Sequence, residues 1–176
     1  MRSRYGVGES GAHFVTTTVV AWLPVFTNSV RCDILIDSLE YCRKNKELKL
    51  YAWVILDNHI HAIVEAPDLS QVMADFKRHT AQRLLDQLEK ENCEWLLNQL
   101  RYFRSPHKVD SIHQFWQEGF HPQALEGEKM IEQKLDYIHQ NPVQRGLVGA
   151  QEHWRYSSAH EWLPGAIPAL KCDPWN

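Results

Sequence analysis

The segment LKLYAWVILDNHIHAIVE, residues 48–65, is the most informative part of this 176-residue chain for predicting its fold. Residues 48–56 and 59–65 form two runs rich in β-branched and aromatic side chains, which favour strands. Asp57 and Asn58 lie between the runs, and short polar side chains of this kind tolerate the left-handed backbone of a tight turn. The segment therefore predicts a β-hairpin.

Other elements are predicted on both sides of this hairpin. Residues 13–20, HFVTTTVV, are typical of a buried strand. Asn28 or Ser29 can cap a following helix, whose apolar residues recur at helical spacing until the basic residues 43–46. After the hairpin, Ser70 is the expected cap of a second amphipathic helix.

The rest of the chain predicts a further strand and a last helix. Residues 92–111 combine a helical stretch with a basic loop, and residues 112–117, IHQFWQ, alternate as a strand does. Residues 128–139 have helical composition, and Pro142 should end regular helix. This order of elements predicts an α+β fold of ferredoxin-like type, with helices packed on one face of an antiparallel sheet.

Composition excludes several classes of protein. The chain is 44% hydrophobic and 23% charged, which is ordinary for a globular domain and excludes disordered, collagen-like and coiled-coil proteins. We expect one domain over residues 1–176, with a core at about 13–148 and a tail at 149–176. No apolar run is long enough for a membrane helix or a signal peptide, so a cytoplasmic protein is expected. The net charge of −3 excludes a protein that coats duplex DNA through bulk positive charge.

The four cysteines give no sign of a disulfide framework or a zinc site. They are scattered through the chain without a CxxC pair. We interpret them as reduced thiols: Cys32, Cys42, Cys93 and Cys172.

Two histidines in the second strand of the hairpin are the first candidates for chemistry. His59 and His61 are two residues apart, so on a strand both imidazoles project to one face while Ile60 points to the other. Two neutral imidazoles placed in this way can bind one divalent metal ion. The pattern also occurs by chance in a chain with ten histidines, and then one ring is hydrogen-bonded and the other exposed.

The second candidate is the segment YIHQNPV, residues 137–143. Tyr137 and Asn141 are four residues apart, which places hydroxyl and amide on one helix face if the helix persists that far. Because Asn141 precedes Pro142, it is expected at or just past the helix end. A tyrosine on a helix is more often a packing residue than a nucleophile.

Taken together, these segments resemble one known family. The resemblance covers residues 14–162 and depends on four blocks in order: HIH at 59–61, FWQEGFHP at 115–122, YIHQNPVQRGLV at 137–148 and WRYSS at 154–158. It is to the REP-associated tyrosine transposases, a branch of the single-tyrosine HUH transposases. The combination of blocks is specific, whereas each alone would be a weak motif.

The resemblance implies a DNA strand transferase that acts on single-stranded DNA containing a hairpin. His59 and His61 match the two metal-binding histidines of the HUH motif, Tyr137 matches the nucleophile, and Asn141 matches a polar residue that helps to hold the metal. Many relatives outside this branch carry Gln at that last position. Imidazole ligands favour Mn, Co or Zn, while the family implies Mg or Mn, and we expect Mg or Mn.

DNA contacts are expected from a locally basic stretch. Residues 76–108 contain seven basic and four acidic residues, whereas residues 110–136 contain two basic and six acidic residues, which masks the stretch in the whole-chain charge. A solvated helix face is an equally good interpretation of such a charge run. The predicted phosphate contacts are Lys77, Arg78, Arg83, Arg101, Arg104 and Lys108.

Two other functions remain open from the sequence. The first is a hairpin-binding regulatory protein of the same fold with little catalysis. The second is a small-molecule metal hydrolase that uses the HxH pair, although a cupin-like barrel would need more strands than are readable here. The sequence is compatible with a monomer or a homodimer, and it predicts no membrane partner.

Overall fold

A four-stranded antiparallel sheet forms the centre of the protein. The computed structural model describes residues 11–175. Its strands are β1 (His13–Thr18), β2 (Lys49–Ile55), β3 (His59–Glu65) and β4 (Gln123–Ala124), in the spatial order β2-β3-β1-β4. Its helices are α1 (Ser29–Asn45), α2 (Leu69–Lys90), α3 (Glu94–Tyr102) and α4 (Glu128–Gln144). The predicted α+β class and the predicted hairpin are confirmed.

One face of the sheet carries the main hydrophobic core. Ile60, Ala62 and Val64 of β3 point to this face, where they pack with buried side chains of α1, α2 and α3. The N-terminal ends of α1 and α2 are each capped by a side chain. Asn28 caps α1 as predicted, whereas α2 is capped by Asp68 rather than by Ser70, because the Asp68 carboxylate accepts from the backbone of the first turn.

The opposite face is covered by α4, so the prediction of helices on one face only was wrong. Ile138 of α4 is fully buried in a second, smaller core with Val54 and Ile63 of the sheet. The alternation of side chains along β2 and β3 supplies apolar residues to both faces. A sheet that is apolar on both faces requires cover on both, and α4 provides the second layer.

The predicted strand at residues 112–117 is wrong. This segment is irregular and makes an isolated bridge between Trp116 and Val19. Around this bridge Val20 N donates to Phe115 O and Gln117 N donates to Thr18 O, each at 2.8 Å, but Gln114 N donates to Leu100 O and so leaves the sheet. The fourth strand is instead the short β4, which pairs with His13 and Phe14 of β1.

Helix α4 continues through Pro142, contrary to the expectation that this residue ends it. Asn141 is therefore inside the helix. Proline removes one backbone donor, but the turn closes around it: Arg145 N donates to Asn141 O at 3.0 Å and Leu147 N donates to Pro142 O at 2.9 Å. Position 142 lies in the last turn of α4, where the loss of one bond is tolerated.

The segment after α4 covers the outer edge of β2. Ile55 N donates to Tyr156 O at 2.8 Å, Trp53 N donates to Ser158 Oγ at 3.1 Å, and Leu50 N donates to the Asp173 carboxylate at 2.8 Å. These bonds satisfy an edge that would otherwise present unpaired backbone groups. The predicted tail at 149–176 thus packs on the sheet over its described residues.

Two further expectations concern the cysteines and membranes. The four cysteines are free thiols, as predicted. None of the helices within residues 11–175 combines the length and apolar character needed to cross a bilayer. The predicted domain includes residues 1–10 and 176, which lie outside the described part of the chain.

Candidate active site

The two histidines of β3 lie side by side on the face that α4 covers. Their ring centroids are 4.6 Å apart, and both residues are 5% exposed. Ile60 between them points into the main core. The structure therefore confirms the predicted geometry, in which alternation along the strand brings both imidazoles to one face.

A hydrogen-bond chain sets the tautomer of His59. Asn58 Nδ2 donates to the carbonyl oxygen of Trp22 at 3.2 Å, which fixes the amide so that its oxygen faces His59. His59 Nδ1 lies 2.6 Å from that oxygen and must donate its proton to it. Burial lowers the pKa of His59 to about 4, so the ring is neutral at pH 7 and its Nε2 carries a free lone pair.

His61 is held in a similar way but ends in an unsatisfied atom. Its Nδ1 lies 2.7 Å from Oγ1 of Thr16, the residue directly opposite on β1. Its Nε2 is buried, and no described residue hydrogen-bonds to it. Burial, with the nearby charge of Lys134 and Arg145, lowers the pKa of His61 to about 3. A buried polar atom without a partner costs about 1–3 kcal/mol and requires an explanation.

Tyr137 of α4 lies against the same histidine. Its ring centroid is 5.2 Å from that of His61 and 5.9 Å from that of Phe14, both in edge-to-face contact. Tyr137 is 43% exposed, so the side chain borders both the histidines and solvent. Asn141 follows one turn later on the same helix face and is buried.

Two cations near the histidines were not singled out in the sequence. Lys134 Nζ lies 4.5 Å from the Phe14 ring centroid and 5.8 Å from that of Tyr137. Arg145 bonds to Asp57 at 2.5 Å in the hairpin turn. Lys134 and Tyr137 are three residues apart, and Arg145 follows Asn141 by four, so helical spacing is the signal that could have identified them.

Two neutral imidazoles and the amide of Asn141 are chemically suitable donors for a divalent ion. Within residues 11–175, no group of three or more His, Cys, Asp or Glu side chains could hold a metal. An ion at this site would therefore depend on the two imidazoles and the amide of Asn141. The unpaired Nε2 of His61 and the fixed tautomer of His59 suit that role, because each second ring nitrogen is already oriented by a partner.

Comparison with known proteins identifies the family. A family model described as "Transposase IS200 like" matches residues 9–141. The chain belongs to the IS200-like transposases. This match includes the HxH strand and Tyr137, and it confirms the resemblance found in the sequence.

Two individual proteins are similar to this transposase chain. A protein of Haemophilus influenzae whose assigned name is REP-associated tyrosine transposase is 30% identical over 113 residues, or 64% of the chain. The chain matches 60% of the length of that relative. A solved REP-associated tyrosine transposase bound to a REP hairpin has a TM-score of 0.66 at 20% identity, covering 99% of this chain and 93% of the other. The second likeness confirms the fold.

The six basic residues predicted to contact DNA do not form one cluster. Lys77 and Lys108 border a groove between α2 and residues 111–120, where Lys77 Nζ donates to Gln117 O at 2.8 Å and Lys108 pairs with Glu118 at 3.3 Å. Arg78, also on this groove, pairs with Asp75 at 2.5 Å.

The other three basic residues have different surroundings. Arg83 lies in a separate groove with acidic neighbours, including Asp37 and Asp86. Arg104 donates to the carbonyl oxygens of Lys108 and Ser111 and so closes the loop after α3. Arg101 is exposed near the end of α3. Lys77 and Lys108 thus border the groove beside α2. Arg83 is the least favourably placed for a phosphate, because its own groove is acidic.

Proposed function

We propose that this protein cleaves single-stranded DNA at hairpin-containing repeats and transfers the strand through a covalent 5′-phosphotyrosine on Tyr137. The proposal is supported by family membership and by one observation above all. The Tyr137 ring contacts a buried, neutral histidine whose Nε2 has no partner among the described residues. A nucleophile beside an open metal-binding nitrogen is the arrangement that phosphodiester transesterification needs.

The covalent step can be written from the chain's own residues. The Tyr137 oxygen attacks the phosphorus, the bond to the 3′-oxygen breaks, and the phenolic proton is transferred to that oxygen, which becomes a free 3′-hydroxyl. The 5′-phosphate remains joined to Tyr137. A different 3′-hydroxyl can then reverse the step and join a new strand. The number of phosphoester bonds is conserved, so no nucleotide hydrolysis is required.

We propose Mg or Mn as the cofactor, held by His59, His61 and Asn141. When bound, a divalent ion polarises a non-bridging phosphate oxygen and stabilises the charge that develops there. Thr16 and Asn58 orient the two rings so that their Nε2 atoms are presented for this purpose. Three donors from the described part of the chain would leave coordination positions open for the substrate.

Lys134 and Arg145 add positive charge beside the proposed phosphate site. Both cations are close enough to His61 to lower its pKa. A phosphodiester next to Tyr137 would therefore enter a region of positive potential although the whole chain is acidic. Lys77, Arg78 and Lys108 border a separate groove beside α2 and are proposed as further phosphate contacts. Contact with a hairpin is inferred from the similar transposase that was solved with a REP hairpin.

The test is covalent trapping with a labelled hairpin oligonucleotide that has single-stranded flanks, in the presence of Mn²⁺. We expect a DNA–protein adduct that survives SDS and is absent from Tyr137→Phe. The substitution keeps the ring against His61 and Phe14, so the fold should be unchanged. Tyr102→Phe, on the exposed end of α3, is the matched control and should form the adduct normally.

Two outcomes would contradict the proposal in different ways. An adduct that persists in Tyr137→Phe would show that another residue is the nucleophile. Tight hairpin binding without any adduct, in Mg²⁺ and in Mn²⁺, would favour the regulatory protein of the same fold.

A further inference from the structure

The backbone beside the histidine site is strained at two consecutive residues. Ala21 has φ +52° and Trp22 has φ +56°, in the left-handed region that residues with a Cβ rarely adopt. Neither is glycine, asparagine or aspartate, which accept this conformation most readily. Such strain persists where the surrounding structure enforces it, and it is concentrated at functional sites.

Several hydrogen bonds enforce this conformation. Just before the two left-handed residues, Val19 N donates to Asn58 O at 2.9 Å and Val20 N donates to Phe115 O at 2.8 Å. At the second of them, the Trp22 carbonyl oxygen accepts a hydrogen bond from Asn58 Nδ2 at 3.2 Å. Asn58 is also the residue that orients His59. The strained turn and the proposed metal ligand thus share one anchoring side chain.

The strained turn presents an indole at the histidine site. The Trp22 ring lies edge-to-face with His59, with centroids 5.6 Å apart, and the residue is 54% exposed. Leu23, the next residue, is buried in the main core. The left-handed backbone at residues 21 and 22 reverses the direction of the chain. As a result, Leu23 packs into the main core while Trp22 stays at the surface beside His59.

We propose that Trp22 is a stacking site for an unpaired nucleobase adjacent to the phosphodiester that Tyr137 attacks. This inference rests on the proposed function and adds a substrate contact to it. Indole is a favourable stacking surface for any base, because every base has a π-face, and aromatic stacking is the common way of binding single strands. Arg145 would contact the phosphate while Trp22 holds the base next to it.

Charge complementarity favours DNA as the occupant of this surface. Lys134 lies over the Phe14 ring, and Arg145 bonds to Asp57 in the turn that carries Asn58, so two cations and one carboxylate lie around the histidine site. By contrast, Trp162, which is 58% exposed, borders a cavity lined by Glu132, Asp136 and Glu161. That acidic cavity would repel a phosphate backbone, so Trp162 provides a matched control of similar exposure.

The first experiment measures DNA binding without cleavage. The probe is a fluorescent hairpin oligonucleotide with single-stranded flanks, titrated in EDTA with proteins that all carry Tyr137→Phe. Trp22→Ala should weaken binding about 5- to 150-fold, the range expected for one stacked base. Trp22→Phe should retain most of the affinity, and Trp162→Ala should bind as well as the parent.

The second experiment tests stacking itself with single abasic sites placed along the flanks. At one position the abasic site should weaken binding of the parent by the factor seen for Trp22→Ala, and Trp22→Ala should lose nothing further. A structural role for Trp22 would instead weaken binding equally for every oligonucleotide, which would overturn the inference. Unchanged affinity of Trp22→Ala on all oligonucleotides would also overturn it.

These outcomes separate the inference from the proposed function. If the parent binds the hairpin and the Trp22 variants bind equally well, Trp22 is not a stacking site and the proposed function stands. If the parent binds neither the hairpin nor a single strand, the proposed function fails and the inference fails with it.

Discussion

The two faces of β3 differ in what their side chains do. Ile60, Ala62 and Val64 pack into a core that includes three helices, whereas His59 and His61 lie on the other face under a single helix. On that second face, His61 Nε2 is buried without a described partner. Neighbouring residues of one strand thus serve stability on one face and the proposed chemistry on the other.

A small domain can hold an energetically unfavourable site on one face of a strand when the other face is well packed. A buried unpaired imidazole nitrogen costs about 1–3 kcal/mol, and the left-handed Ala21 and Trp22 add to the cost. The apolar face offsets it, since each large side chain that it fully buries contributes about 1.5–3 kcal/mol. Substitutions on the two faces should therefore have opposite effects on activity and stability.

The largest effect is expected from His61→Ala. Loss of a proposed metal ligand beside Tyr137 should reduce Mn²⁺-dependent adduct formation by at least about 100-fold. In EDTA the variant should lose little stability, because removal of a buried nitrogen without a described partner offsets part of the cost of the cavity and of the lost hydrogen bond to Thr16. Adduct rates and urea unfolding would be measured on the same preparations. A large loss of stability would show that His61 is a structural residue.

The next largest effect is expected from Ile60→Ala, one residue away on the other face. Ile60 is buried in the main core, so the substitution should lower the free energy of unfolding by about 2–4 kcal/mol. Adduct formation per folded molecule should stay close to that of the parent at a temperature where both are folded. If Ile60→Ala loses activity while remaining folded, the two faces are not independent.

A smaller effect is expected from pH in the metal-free protein. Burial lowers the pKa of His59 to about 4 and of His61 to about 3, whereas in the unfolded chain both titrate near 6.5. Between those values the unfolded state binds more protons, so stability should fall as pH falls from about 6.5 towards 4. At pH 5 each histidine should account for about 1–2 kcal/mol.

The control for this pH dependence is a comparison of the His61→Ala and Ile60→Ala variants. Urea unfolding in EDTA at a series of pH values should give His61→Ala a shallower slope, by about one proton, than Ile60→Ala. Equal slopes for the two variants would mean that His61 is protonated in the folded protein.

Local patterns predicted the parts of the fold that depend on local sequence. The β2–β3 hairpin and its paired histidines follow from alternation and a two-residue turn, and Asn28 was recognisable as a helix cap. The strand predicted at 112–117 was wrong because its alternating side chains satisfy contacts to α2, as Trp116 does through Thr80. The predicted helix ended too early because Pro142 lies in the last turn of α4, where the loss of one backbone donor is tolerated.

The contacts of the candidate site that were not predicted depend on pairing between segments distant in the sequence. Thr16 reaches His61 only because β1 and β3 pair in one register, and Trp22 reaches His59 only through the turn that Asn58 anchors. No spacing within the sequence indicates either contact. The roles of Tyr137 and Asn141 were available from the resemblance, and they remain predictions for the experiments above.

The cover on the edge of β2 has a consequence for synthesis of the chain. Trp53 bonds to Ser158, 105 residues later, so the strand leaves the ribosome long before the segment that covers it. At about 5–20 residues per second, that interval is roughly 5–20 s. Throughout it, the nascent protein carries an open, apolar strand edge that can pair with another chain. Slow translation between these two segments would therefore favour aggregation, and a chaperone that shields β2 would favour correct folding.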